Sequence, residues 1–345
     1  MLSVAVIGAG RMGAIRARSI RDSGEGRVSV FCDIEPSRAE EAAREFSAAA
    51  VPDYRMAVSR AGVDAVVIST PTKFHEEIAV AALQAGKHVL CEKPLARTLE
   101  EARRTVQAAM RSGHALKTGF NYRHMAHVRK ARQLLASGAI GPVYFLRCRF
   151  GHGGRPGYEK EWCTDAELSG GGVLQEQGIH VLDLARFFLD EPSRVWAQTR
   201  RYFWNFPQVE DNCFCVLESR SGQLAQLHAS WTQWRNLLHL EIFGRDGCLQ
   251  LEGRDGHYGP QRLLWSKRRP DHGKPAEQTF VFGASDDSWG REWHAFLELI
   301  DHAELRHAAA WEGLRTQQLV EAAYESARER RSVEIGDLAV SEEGP

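Results

Sequence analysis

The run Gly8-Ala9-Gly10-Arg11-Met12-Gly13 constrains this chain more than any other feature. It follows an apolar stretch, Val4 to Ile7, and opens a helical one that reaches about Asp22. A G-x-G-x-x-G turn between strand and helix uses each glycine differently. The first permits the tight turn, the second lets backbone approach a pyrophosphate, and the third lets helix and strand pack closely. Backbone N–H groups and the positive end of the helix dipole then receive phosphate oxygens, with Arg11 and Met12 inside the turn. Asp33 lies 20 residues after Gly13, at the end of a second strand, Val28 to Cys32. A carboxylate there hydrogen-bonds ribose hydroxyls and repels a 2′-phosphate. The expected cofactor is NAD, with NADP kept open by the nearby Arg38.

The residues that follow keep alternating strand and helix. Ser37 to Phe46 reads as a helix and Ala65 to Ser69 as a strand buried on both faces. Ile78 to Ala85 is helical and stops at Gly86; Val89-Leu90 is a short strand, Leu99 to Arg111 a helix, and Ala115 to Thr118 a strand. This alternation predicts an N-terminal Rossmann domain, a doubly wound parallel sheet over residues 1–121. From residue 122 the pattern changes. Val143–Phe150, Val195–Phe203, Cys213–Glu218, Leu224–Trp231 and Leu238–Phe243 alternate with period two. They predict an α+β domain over 122–345, built on a large open, mostly antiparallel sheet. One strong helix, about Val173 to Leu189, interrupts these runs, and helices at about Trp289–His302 and Trp311–Glu329 close the chain. The tail after about Gly336 is acidic.

Charge and cysteine use exclude several classes. A net charge of −1 removes the field that draws nucleic acid or an anionic membrane, so neither is an expected partner. No apolar run approaches a membrane span, and no signal peptide is expected. Seven scattered cysteines without a C-x-x-C pair suit a reducing cytoplasm and give no metal signature.

Three further segments join the glycine turn. Ser69-Thr70-Pro71, with His75 four residues on, follows the buried strand. Glu92-Lys93-Pro94 follows the short strand at Val89. Gly170-Gly171-Gly172 leads to Glu176-x-Gly178-x-His180-x-x-Asp183. In this order and at these distances they resemble the glucose–fructose oxidoreductase and inositol dehydrogenase family (Gfo/Idh/MocA), over nearly the whole chain. The resemblance implies that Lys93 contacts the reacting hydroxyl and the nicotinamide ribose, and that a cis peptide bond precedes Pro94. It implies that Thr70, Pro71, His75 and Glu92 line the cofactor cleft. Asn121, Tyr122 and Arg123 match family positions near nicotinamide and substrate. His180 would be the proton-accepting base. Glu176 stands where the family more often has aspartate, and Cys163, after Trp162, where relatives often carry arginine. Trp162 is counted with the cofactor contacts.

Residue chemistry supports the same roles. Spacings of four and three put Glu176, His180 and Asp183 on one helical face. Oxidation of an alcohol needs a base for the O–H proton, and a neutral histidine oriented by a carboxylate suits it. A lysine at the same oxygen stabilises developing alkoxide. Lys93, His180 and Glu176 are therefore the candidate catalytic set. Candidate substrate contacts also include Tyr122, Arg123, His152 and Arg155 in a glycine-rich loop, and Trp234 at a strand end. The segment around Trp234, with Trp289 and Trp293, resembles a branch of the family associated with sugar nucleotides. The expected activity is hydride transfer between nicotinamide and a secondary alcohol or ketone of a sugar, sugar nucleotide or cyclitol, without a metal. The alternatives are a reductase of another carbonyl class and a non-catalytic nicotinamide-binding regulator. Trp196, Phe203 and Trp204 are expected on the sheet's outer face, where they would drive a homodimer or homotetramer.

Overall fold

The computed structural model describes residues 1–271, 273–283 and 286–338; the acidic tail lies, from residue 339 on, outside the described residues. Strands β1 (Leu2–Ile7), β2 (Gly26–Cys32), β3 (Ala49–Val51), β4 (Ala65–Ile68), β5 (His88–Glu92) and β6 (Leu116–Gly119) make one parallel sheet in the order β3-β2-β1-β4-β5-β6. Helices α1 (Arg11–Ser23), α2 (Pro36–Phe46), α3 (Tyr54–Val58), α4 (His75–Gln84) and α5 (Leu99–Ser112) connect the strands. All four residues of β4 are buried, as its unbroken apolar run predicts for a strand covered on both faces. Thr98 caps α5 by accepting from the Glu101 N–H, and Gly113, with φ +69°, closes it. Strand order reverses between β1 and β4, which opens a crevice at their carboxyl ends. The glycine turn and Ser69-Thr70 flank that crevice. The sequence reading lacked β3 and α3, which at three and five residues are too short to display a period.

After α6 (Ala126–Ala136) come β7 (Val143–Gly151), α7 (Ala166–Ser169), α8 (Ile179–Phe188), β8 (Pro192–Arg200), β9 (Asn212–Ser219), β10 (Leu224–Ser230), β11 (Leu237–Gly244), β12 (Gly247–Glu252), β13 (Arg262–Lys267) and β14 (Ala276–Val281). Helices α9 (Ser288–Asp301) and α10 (Ala303–Glu329) and strand β15 (Val333–Glu334) follow. The second sheet has nine strands in the order β14-β13-β12-β11-β7-β10-β9-β8-β15. Every pairing is antiparallel except β7 with β10. Five of these strands are visible as alternating runs; β14 is exposed almost throughout and has no alternation to read.

Two corrections concern the ends of elements. Helix α10 begins at Ala303, well before Trp311, and bridges the two sheets. Its Ala310 and Leu314 pack with the parallel sheet, and its Leu319, Val320 and Ala323 with the antiparallel one. Trp293 of α9 is buried in the core under β1 and α1, so it belongs to packing and not to a substrate pocket. Strand β8 stops at Arg200, and Tyr202, Phe203 and Trp204 form a turn whose three backbone N–H groups donate to the buried Asp211 carboxylate at 2.8–2.9 Å. Trp204 therefore turns inward, donates its indole N–H to the Trp231 carbonyl and stacks on Phe206. Of the three residues expected on the exposed apolar face of the sheet, Trp196 is there, and Phe214, Val216 and Leu224 complete it.

Candidate active site

The glycine turn is shaped for close backbone approach. A Cβ on Gly8 would lie 2.6 Å from the Ser69 carbonyl carbon, and one on Gly13 would lie 1.9 Å from the Gly8 oxygen. Gly10, by contrast, faces open space. No side chain caps the N-terminus of α1, so its first N–H groups are left for a ligand. Asp33 braces the turn: one carboxylate oxygen accepts from the Ala9 N–H and the other from the Glu35 N–H, both at 2.9 Å. Across the crevice, the Ser69 and Thr70 hydroxyls are buried without partners. An uncapped helix, an open second glycine and unpartnered hydroxyls fit a dinucleotide. Arg38 is exposed and pairs with Glu35 at 2.8 Å.

A second group of side chains gathers beyond β5. The Lys93–Pro94 peptide is cis. The Lys93 ammonium donates to the Glu176 carbonyl at 2.7 Å and to its carboxylate at 2.9 Å. Glu176 sits in a π-helical turn, Leu174–Gly178, which leads into α8. Such wide turns break the regular i, i+4 alignment and recur at functional sites. The carboxylates flanking His180 consequently do not orient it: Glu176 is held by Lys93, and Asp183 takes the Arg123 guanidinium at 2.6 and 2.8 Å. The imidazole instead stacks on Tyr122, with ring centroids 4.0 Å apart and planes 8° apart. Its buried Nδ1 has no hydrogen-bond partner. Burial, the Lys93 ammonium and the Arg254 guanidinium all push its pKa well below the ordinary histidine value, so the ring is neutral at pH 7.

Several of the expected contact residues hold partners within the protein. Arg123 is committed to Asp183 and Glu312. His75 is buried, with Nδ1 2.8 Å from the Pro94 carbonyl and Nε2 3.0 Å from the Thr70 carbonyl. Burial lowers its pKa, so the neutral ring has one N–H to donate to one of these two carbonyls, which border the cleft. Glu92 accepts from Arg16 at 2.7 Å and Asn121 donates to Ser288 at 2.9 Å. Tyr122 is buried, so its role toward a ligand runs through the face it gives His180. His152 accepts from the Gly154 N–H, and burial lowers its pKa to about 4. Arg155 pairs with Glu161 at the surface, Trp162 is partly exposed on the same loop, and Trp234 is exposed against Phe203. Cys163 is buried, and its thiol is pushed up to about 12 by burial and the field of Glu176.

Sequence reasoning missed two arginines. Arg16 of α1 is buried and bridges Glu92 to Glu292 of α9 at 2.7 and 2.5 Å. Its two partners stand 76 and 276 residues away in the sequence, so no local pattern signals the bridge. Arg254, in the loop after β12, donates to the Tyr122 hydroxyl and stands over the Tyr122 and Tyr258 rings. No local pattern marks it, because the hydroxyl it bonds belongs to Tyr122, 132 residues away.

The comparisons agree with this geometry. Residues 2–120 match an oxidoreductase family with an NAD-binding Rossmann fold, and residues 128–250 match the Gfo/Idh/MocA C-terminal domain. Inositol 2-dehydrogenase 2 of Saccharopolyspora erythraea is 31% identical, covering 94% of this chain and 93% of its own. D-glucoside 3-dehydrogenase of Escherichia coli is 29% identical over 97% of each chain. An NAD binding oxidoreductase from Klebsiella pneumoniae superposes with a TM-score of 0.85 at 25% identity, covering 97% of this chain and 99% of that one. Levoglucosan dehydrogenase in complex with NADH and L-sorbose shares the fold, with a TM-score of 0.87 at 24% identity and coverage of 97% and 99%. With a cradle fit for a dinucleotide and both halves matched, the chain is an NAD-binding oxidoreductase of the Gfo/Idh/MocA family.

Proposed function

We propose that this enzyme interconverts a secondary alcohol and a ketone on a sugar or cyclitol ring, with Lys93 and His180 handling the proton and charge at the reacting oxygen. The observation that carries the reading is the convergence of Lys93 and a neutral, hydrogen-bond-free His180 at the mouth of the crevice. Bound nicotinamide would supply or accept the hydride. Glu176 fixes the Lys93 ammonium through its carbonyl and carboxylate, which leaves the third N–H of the ammonium for substrate oxygen. Positive charge there stabilises an alkoxide. His180 takes the hydroxyl proton in oxidation and returns it in reduction. Stacking on Tyr122 holds the ring plane in place of a hydrogen bond. The inositol and glucoside dehydrogenases among the relatives support a ring polyol as substrate.

The cofactor side of this reading uses Gly8, Gly10, Arg11, Met12, Gly13 and Asp33, with Thr70 and Pro71 across the crevice. Residues 1–121 would hold the cofactor and 122–345 the substrate, with α9 and α10 crossing back onto the first sheet. A second copy would cover Trp196, Phe214, Val216 and Leu224, giving a homodimer; sedimentation of a monomer at micromolar concentration would refute this. Placement in the cytoplasm is supported by an odd number of scattered cysteines, seven in all, without a C-x-x-C pair. Absorbance at 340 nm with NAD and a panel of inositols, hexoses and glycosides tests the activity. Growth of the NADH signal with a ring polyol is expected. A signal only with acyclic or aromatic carbonyl substrates and NADH would overturn the substrate class.

A further inference from the structure

We propose that Arg254 is an oxyanion receptor, so that the substrate carries a carboxylate or a phosphate beside the reacting ring. The proposal rests on the active site described above. It starts from an imbalance of charge. The buried arginines Arg16, Arg123 and Arg186 each meet two carboxylates within 4.0 Å. Arg254 forms no ion pair among the described residues, although it is largely enclosed between Tyr122 and Tyr258, its guanidinium carbon 5.3 and 4.6 Å from the ring centroids. Enclosed charges are ordinarily paired.

Neither nearby carboxylate pairs with Arg254. Asp255, next in the chain, accepts from the Gln261 amide at 2.5 Å. The field of Asp286 reaches Arg254, but that carboxylate accepts the Ser288 N–H at 3.0 Å. Arg254 gives Nη1 to the Tyr122 hydroxyl. Its Nε is buried without a partner, and Nη2 makes no hydrogen bond among the described residues. Nε and Nη2 form the fork that receives a carboxylate or phosphate through two parallel bonds. Arg123 presents that same fork to Asp183. In Arg254 the fork is complete and no acceptor for it stands among the described residues.

The surroundings are prepared for negative charge. Arg254 bonds the hydroxyl of Tyr122, whose ring stacks on His180, so the guanidinium lies one side chain from the proposed base, and its field and that of Lys93 both reach His180. The same Tyr122 that stacks on His180 receives the Arg254 N–H, which fixes the fork relative to the base. A ring polyol with an acidic substituent would place its hydroxyl at Lys93 and His180 and its oxyanion at Arg254.

The test is calorimetric titration of the NAD-loaded protein with D-glucose, D-glucuronate and D-glucose 6-phosphate at pH 7.5. At least one acid should bind about tenfold or more tightly than glucose, and the better one identifies carboxylate or phosphate as the group. Arg254→Gln should abolish the preference while leaving NAD binding and glucose binding within about twofold; Arg254→Lys, which keeps charge but loses the fork, should retain part of it. Acids that bind no better than glucose would overturn the proposal. So would a preference that survives in Arg254→Gln, or a variant that weakens glucose and the acids equally, which would reduce Arg254 to a support for Tyr122. Acids that bind without NAD reduction would leave this inference standing and defeat the proposed reaction instead.

Discussion

The phosphate cradle and the reacting corner are built on opposite plans. The cradle is backbone: six consecutive residues, one helix end and one carboxylate that braces the turn. The corner is side chain: Lys93, Tyr122, Glu176 and His180 come from distant segments and are fixed by an ion pair, stacking and burial. The difference teaches where each can be broken. A backbone cradle fails through steric intrusion and a side-chain corner through loss of charge, so cofactor binding and turnover should separate cleanly under mutation.

The largest effect is expected at the cradle. Gly13→Ala would force a methyl to 1.9 Å from the Gly8 carbonyl oxygen. Calorimetry should detect no NAD binding, and unaltered binding would show that the turn has slack the geometry denies. Next, His180→Ala and Lys93→Ala should each lower kcat by roughly 10²–10⁴-fold while NAD affinity stays within a few-fold. A loss of NAD binding in step with kcat would erase the distinction between the two regions. Arg16→Met probes the link between them, since it strands Glu92 and Glu292 in the core. Breaking a buried pair this way should cost about 3–5 kcal/mol of stability, read by urea denaturation. A smaller effect concerns pH. Burial lowers the pKa of His127 to about 4 in the folded protein, against an ordinary 6.5. The unfolded chain therefore binds a proton first as pH falls. Stability from this residue is complete above pH 6.5 and is lost between 6.5 and about 4. His127→Gln should flatten the fall in Tm across that window if it folds; an unchanged slope would refute the assignment.

The two plans also explain what could be read from the chain. The cradle was legible because its residues are consecutive and their geometry is local: Gly8, Gly10 and Gly13 must follow one another for the turn to exist. The parallel sheet was legible for the same reason, from continuous apolar runs such as Ala65 to Ile68. Lys93 and His180 stood out through resemblance, but their partners did not. Helical spacing promised a carboxylate for His180, and the π-turn at Leu174–Gly178 sent Glu176 to Lys93 instead. Arg254 was invisible, since only the folded chain brings it to Tyr122, 132 residues away. Phe203 and Trp204 were read onto the sheet face because nothing local announces that Asp211 gathers their N–H groups into a turn.

The most direct test of the central claim pairs two readings on one protein: NADH formation at 340 nm with the best ring polyol, and NAD affinity, for wild type and Lys93→Ala. The account predicts that turnover collapses and NAD still binds. Turnover that persists in Lys93→Ala with intact NAD binding would contradict it, because the proton and charge at the reacting oxygen would then be handled somewhere else.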